Sequence, residues 1–121
     1  MKFIESYMNR MDARGEVIGI FREFPLAEIN MIRTLAGHAR GNHYHKSTNE
    51  FFIVLSGRLH LQVTTLKNEV LFDGELSEGA MFIIEKNEIH TVTAISDVVW
   101  INGLDMKFSD SNPDFHIITS N

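Results

Sequence analysis

The stretch GHARGNHYHKSTNEFFIVLSG, residues 37–57, decides how the chain is read. It holds two histidines two apart, His43 and His45. A carboxylate, Glu50, comes five residues after the second, and an apolar run then ends at Gly57. Side chains at i and i+2 of a strand point to the same face, so His43 and His45 present two imidazoles side by side. With Glu50 opening the next strand of a tight hairpin, two nitrogens and one oxygen converge, which is most of a divalent-metal site. Another strand must complete it. GAMFIIEKNEIHT, residues 79–91, offers His90 on a second β-like run.

Outward from that stretch, the chain continues in short runs of β-branched and aromatic residues. EVIGIFREF (16–24) is a strand candidate stopped by Pro25, and EINMIRTLA (28–36) is another. RLHLQVTTL (58–66) alternates, with Leu59, Leu61 and Val63 on one face and His60 on the other, where it is a candidate to line the barrel. EVLFDGEL (69–76) is read as broken by a hairpin-type turn at Asp73-Gly74. AMFIIE, IHTVTA, DVVWING and FHIIT (115–119) complete the set, and Asp12-Ala13-Arg14-Gly15 reads as a turn. Short strands with regular turn signals and no helical period predict an all-β sandwich or small barrel. Phe51, Ile53 and Leu55 share one face of their strand, Phe52 and Val54 the other. A strand apolar on both faces is buried on both. One face lines the interior. The other, taken as that of Phe52 and Val54, needs a second subunit or covering loops, and a homodimer is expected.

Composition narrows the partners. A chain of 121 residues, 44% hydrophobic, is expected to form one domain over 1–121 with a barrel from about 16 to 119. No apolar run is long enough to span a bilayer as a helix, and MKFIESYMNRMD does not read as a secretory signal. Cysteine is absent, so thiolate ligands are excluded and a metal must use His, carboxylate or water. A cytoplasmic location is compatible with that. A net charge of −5 without a basic cluster argues against nucleic acid.

The spacing Gly37, five residues, His43, one residue, His45, four residues, Glu50, six residues, Gly57 resembles the first cupin motif at every defined position. Gly79 and His90 fall where the second motif has its glycine and histidine; Glu85, Asn87 and Ala94 stand where that motif has proline, glycine and asparagine. The resemblance implies a jelly-roll β-barrel (a double-stranded β-helix) and a divalent metal (zinc, manganese, nickel or iron) on His43, His45, Glu50 and His90. More narrowly, ARGNHYHKSTNEFFIVLSG resembles the cupin modules of nucleotide-sugar epimerases and isomerases that build bacterial surface polysaccharides. Among these are the C-terminal cupins of bifunctional capsular UDP-sugar reductase/epimerases. No reductase region accompanies the module in this sequence. Asp12-Ala13-Arg14-Gly15 resembles an Asp-x-Arg-Gly element near the start of such enzymes.

That resemblance implies proton removal next to the carbonyl of a nucleotide-linked ketosugar, which needs a base within reach and a group that stabilises the enolate. His43 is the base if no metal is bound. With a metal on the histidines, the base is another group, and Tyr44, Lys46 and His38 are nearby in sequence. Tyr44 is expected on the opposite strand face. Arg40 resembles an arginine that contacts nucleotide phosphate, and with His38 is the substrate-binding candidate. Its plainer role is a surface arginine. The tyrosine acid of related epimerases has no match, since only Tyr7 and Tyr44 exist. Trp100 reads as core, and His116 as structural. Two other classes share the donor set: a cupin metal-dependent dioxygenase, and a cupin that binds a small ligand without turnover.

Overall fold

The computed structural model describes residues 1–118 and, among them, contains strands and no helix, hence none long and apolar enough to cross a membrane. The strands are β1 (Lys2–Phe3), β2 (Met8–Asp12), β3 (Gly15–Gly19), β4 (Glu28–Thr34), β5 (Ala39–Tyr44), β6 (Glu50–Ser56), β7 (Arg58–Thr64), β8 (Val70–Ser77), β9 (Met81–Ile84), β10 (Ile89–Ala94), β11 (Val98–Leu104) and β12 (His116–Ile117). Thr119, the expected end of the barrel, lies outside the described residues. Two five-stranded antiparallel sheets face each other, in the orders β1-β9-β6-β11-β4 and β12-β5-β10-β7-β8. The expected jelly roll is what forms. β2 and β3 make a separate hairpin whose turn is Asp12–Gly15, as the sequence indicates.

Strand alternation builds the core. Leu59, Leu61 and Val63 of β7 point inward and are essentially inaccessible, meeting Phe82 and Ile84 from the facing sheet. His60 points outward instead, and its Nε2 lies 2.6 Å from Asp73 Oδ1 on the outer surface. Phe52 and Val54 of β6 also belong to this core. That corrects the assignment of their face to a partner subunit: it is the interior. The opposite face carries Phe51, which its own chain covers, with Phe21 stacked at 5.6 Å and Phe24 at 6.1 Å.

Two further expectations change. Asp73-Gly74 is not a turn: β8 runs unbroken through it, with Asp73 opposite Gln62 and Gly74 opposite Leu61. The reversal lies earlier, at residues 65–69, where Asn68 adopts a φ of 65° and Thr65 N–H donates to Glu69 C=O at 2.9 Å. Nor do the histidine strand and the Glu50 strand form a hairpin. β5 and β6 belong to different sheets, and residues 45–49 arch from one to the other.

β5 carries a bulge that sets its inward side chains. His43 pairs with His90 and Gly41 with Thr91, so Asn42 is the extra residue. Gly41 has φ of 123° and Asn42 of 56°. An inserted residue resets the alternation. Arg40 and His43, three apart, therefore both face the interior. A Cβ on Gly41 would sit 2.4 Å from the His90 carbonyl oxygen, so only glycine permits this approach. Replacing Gly41 with alanine is expected to cost at least about 2 kcal/mol of unfolding free energy. Equilibrium urea denaturation measures it; a variant within about 0.5 kcal/mol of the parent would contradict the close approach.

Candidate functional site

At one end of the sandwich, where the hydrophobic filling stops, four polar side chains meet. β5 and β10 bring His43 opposite His90, with ring centroids 4.4 Å apart. His45, just past β5, has its ring 5.1 Å from that of His43. Glu50, first residue of β6, reaches them from the facing sheet. One ligand atom from each of these four residues lies within 4.8 Å of the others. The structure thus brings together all four residues that the sequence marks as metal candidates.

Their orientations are held from behind. His45 Nδ1–H donates to the Asp114 carbonyl, and His90 Nδ1–H donates to the Glu88 carbonyl at 3.1 Å. Each imidazole then turns an Nε2 lone pair toward Glu50 Oε1, His45 in direct contact and His90 at 3.6 Å. Asn102 Nδ2 donates to the other carboxylate oxygen, Oε2, at 2.6 Å. His43 Nδ1 is buried without a hydrogen-bond partner. Two nitrogen lone pairs crowded on a carboxylate oxygen repel unless a cation, a proton or a metal ion, lies between them. Backbone-anchored imidazoles with a hydrogen-bonded carboxylate are the surroundings that metal ligands usually have, and three nitrogens with one oxygen suit a divalent transition ion. The residues present fit such an ion.

Proton affinities follow the same geometry. Burial pushes His43 down to about 4, with help from neighbouring His90. Burial also lowers His90 against the pull of Glu50. For His45 burial acts downward too, but its bond to Glu50 outweighs it and the imidazole is raised. Burial would raise Glu50, yet its bond to His45 and the surrounding imidazoles hold it below the usual carboxylate range. Without a metal, a proton shared between His45 and Glu50 fills the gap.

The cluster opens into a cavity of about 290 Å³. Phe52, Trp100, Phe108 and Phe115 form much of its apolar wall; Glu28, Asn30, Asn102 and Arg40 form the polar one. Asn30 Nδ2 donates to Glu28 Oε2 at 3.0 Å and lies 3.4 Å from Asn102 Oδ1, so a row of polar groups runs from Glu28 to Glu50. Arg40 Nε donates to Thr34 Oγ1 at 2.9 Å and Nη2 to the Arg33 carbonyl at 3.2 Å. Arg40 also borders a second, polar cavity of about 410 Å³ that includes Arg33, Thr34 and His38. Tyr44 lies outside both cavities, packed against His116 at 5.2 Å. Lys46 is absent from both linings too; its backbone N–H, not its amine, is engaged, donating to Asp114.

Three contributors escape a motif-based reading. Asp114 and Phe115 arrive on the segment before β12: Phe115 stacks on His43 at 4.4 Å, and Asp114 latches the arch after His45. Its carboxylate accepts from Lys46 N–H at 2.7 Å, Ser47 N–H at 2.8 Å and Thr48 Oγ1 at 3.0 Å. No local pattern announces a contact across some 68 residues. Asn102 had a signal: an amide two residues from Trp100 in an otherwise apolar strand shares its inward face.

A family model described as the polysaccharide biosynthesis C-terminal domain matches residues 10–115. Among curated proteins, Glycinin G3 of Glycine max is 40% identical over 45 residues and Glycinin G2 33% over 70; this chain spans 9% and 14% of their lengths. Among solved structures, the capsular polysaccharide assembling protein CapF of Staphylococcus aureus is 20% identical, with TM-score 0.72, over 93% of this chain and 32% of that one. The sugar 3,4-ketoisomerase QdtA of Thermoanaerobacterium thermosaccharolyticum, in complex with TDP, is 16% identical, with TM-score 0.77, over 94% and 85%. The dTDP-4-dehydrorhamnose 3,5-epimerase of Sulfolobus tokodaii is 20% identical, with TM-score 0.73, over 93% and 80%. These likenesses establish a shared fold.

The Asp114 latch has a measurable signature. Burial would raise this carboxyl, but its hydrogen bonds to the arch and to His116 bring it down from 3.8 to about 2. A depressed folded-state value stabilises the fold fully above the unfolded value and is lost as pH falls through the folded one. Asp114→Asn is expected to be less stable near neutrality and to lose less stability between pH 4 and 2. Urea midpoints across that range test this, and parallel curves for the two proteins would contradict the latch.

Proposed function

The chain belongs to the polysaccharide biosynthesis C-terminal domain family, and on that premise we propose that it is a metal-binding sugar-nucleotide isomerase or epimerase acting in surface-polysaccharide biosynthesis. One observation carries the metal: two imidazoles held through Nδ1–H to backbone carbonyls turn their Nε2 lone pairs on one carboxylate oxygen. His43, His45, Glu50 and His90 would hold zinc, manganese, nickel or iron. A bound divalent ion supplies a Lewis acid for a ketone oxygen.

The remaining residues prepare a site for a sugar. Phe115 and Trp100 offer apolar surface to a pyranose face, and Asn30, Asn102 and Glu28 offer donors and acceptors to its hydroxyls. Arg40 stands where the cavity meets the one lined by Arg33 and His38. A nucleotide-linked sugar fits this division: sugar ring beside the four-residue cluster, diphosphate over Arg40, with Arg33 and His38 beyond it. Arg40 keeps its Nη1 donors for phosphate oxygens, since only Nε and Nη2 are engaged. Neighbours of the same fold include a ketoisomerase in complex with TDP, in keeping with this reading. The proposal includes a homodimer through the outer face of edge strand β4, where Ile29 and Met31 are exposed.

Protein purified without chelators is expected to carry about one equivalent of divalent metal. Replacing His45 with alanine should lower both metal content and melting temperature, because a ligand that binds only the folded state stabilises it by mass action. Metal analysis and thermal unfolding check both; unchanged metal content in the variant would overturn the ligand assignment. TDP and UDP should raise the melting temperature of the parent, and Arg40→Ala should abolish that rise while keeping the metal. Sedimentation as a monomer would remove the dimer.

A further inference from the structure

We propose that Glu28 is the general base of this site and that proton transfer occurs on one face of the sugar, which makes the reaction an isomerisation; this rests on the sugar-nucleotide reading above. Once His43, His45, Glu50 and His90 hold a metal, their imidazole nitrogens and Glu50 Oε1 are committed to it, and Glu50 Oε2 is tied to Asn102. Among the described residues lining the cavity, the titratable side chains left are Glu28 and Arg40. A guanidinium stays protonated and cannot accept. Glu28 is therefore the one proton acceptor. Tyr44 and Lys46, the candidates nearest in sequence, do not line this cavity.

The position suits the task. Glu28 and Glu50 both pair with Leu104, from opposite sides of β11. Their Cα atoms are two strand spacings apart, roughly 10 Å. Both side chains point into the cavity between the sheets, so a sugar ring fits between the carboxylate and the four-residue cluster. Glu28 is also held in place: Oε1 accepts from Phe108 N–H at 3.2 Å and Oε2 from Asn30 Nδ2 at 3.0 Å. Each oxygen retains a further lone pair for an incoming proton. Asn30 in turn lies against Asn102, which bonds Glu50, so base and cluster are spaced by one hydrogen-bonded row.

The chemistry is that of a ketose with a neighbouring carbinol. The C–H bond beside the carbonyl breaks, its proton goes to Glu28, and its electron pair forms a C=C bond while charge moves onto the former carbonyl oxygen. The hydroxyl proton passes between the two oxygens. Glu28 then returns its proton to the former carbonyl carbon and the neighbouring carbon becomes the ketone. Atoms and charge balance with no other reactant. Inverting a centre needs an acid on the opposite face, and the described lining offers none. One-base transfer therefore moves the carbonyl and does not epimerise.

The test uses the full chain with its metal and a set of TDP- and UDP-linked 4-keto-6-deoxyhexoses in deuterium oxide, followed by proton NMR. The parent is expected to introduce deuterium next to the carbonyl and to form the 3-keto isomer. Glu28→Gln should slow exchange at least about 100-fold, with metal content and the TDP-induced thermal shift unchanged. Glu28→Asp, which keeps a carboxylate, should recover part of the rate. Exchange by Glu28→Gln within about threefold of the parent, loss of its metal, or failure of that variant to fold while Glu28→Asp shows no rate loss, would overturn the base assignment and leave the sugar-nucleotide reading standing. Inversion of a ring carbon by the parent would overturn the one-face transfer. No exchange by the parent with any of these sugars, despite bound metal, would overturn the underlying reading and this assignment with it.

Discussion

The Glu50 carboxylate is the constraint around which this molecule is arranged. It is a charged group with its side chain only 7% exposed, and it sits where two sheets face each other. A buried anion is tolerated when its oxygens are satisfied and a cation is near. Asn102 satisfies one oxygen from the neighbouring strand of its own sheet, and the imidazoles of the opposite sheet crowd the other. The contact joins the sheets at the end where the apolar core gives out. Below it, Phe52, Phe82, Leu61 and Val92 fill the sandwich. Above it, the same inward-facing rows become amides, acids and an arginine. One pleat pattern therefore serves for stability at one end of each strand and for chemistry at the other.

Irregular backbone, as much as the strands, makes that arrangement work. The Gly41-Asn42 bulge turns Arg40 and His43 to the same side. The arch at 45–49, held by Asp114, carries the chain from the histidine sheet to the glutamate sheet. The Asp114 carbonyl also fixes the tautomer of His45. A single residue near the end of the described chain thus governs both the path of a loop and the direction of a nitrogen lone pair.

Legibility differed by element, for reasons that are physical. β7 was readable because one face is buried and the other wet, so Leu59, Leu61 and Val63 alternate with polar residues. β6 is apolar on both faces, and its pattern cannot say which face is the interior. Phe52 and Val54 turned out to be inside, and Phe51 outside under Phe21 and Phe24. Asp73-Gly74 looked like a turn because those residues favour turns in isolation. Pairing with β7 along the whole of β8 overrode the preference. His60 alternated with the buried leucines and found an outward partner in Asp73, thirteen residues away.

His43, His45, Glu50 and His90 could be picked out from the sequence alone, as could an all-β sandwich or small barrel, whereas the jelly roll was what the cupin resemblance implied. Both are matters of short-range periodicity: same-face histidines two apart, a carboxylate at the head of an apolar run, a further histidine on a similar run. Only the tertiary structure decided that Glu50 comes from the facing sheet, that Lys46 stands outside the cavity, that Glu28, Asn102 and Phe115 line it, and that Asp114 holds the arch beside it. The reason is separation along the chain. Asn102 meets Glu50 across 52 residues and Asp114 meets Lys46 across 68. Nothing local in a strand encodes which distant strand will lie beside it; sheet order and register do, and those follow from burying the whole core at once.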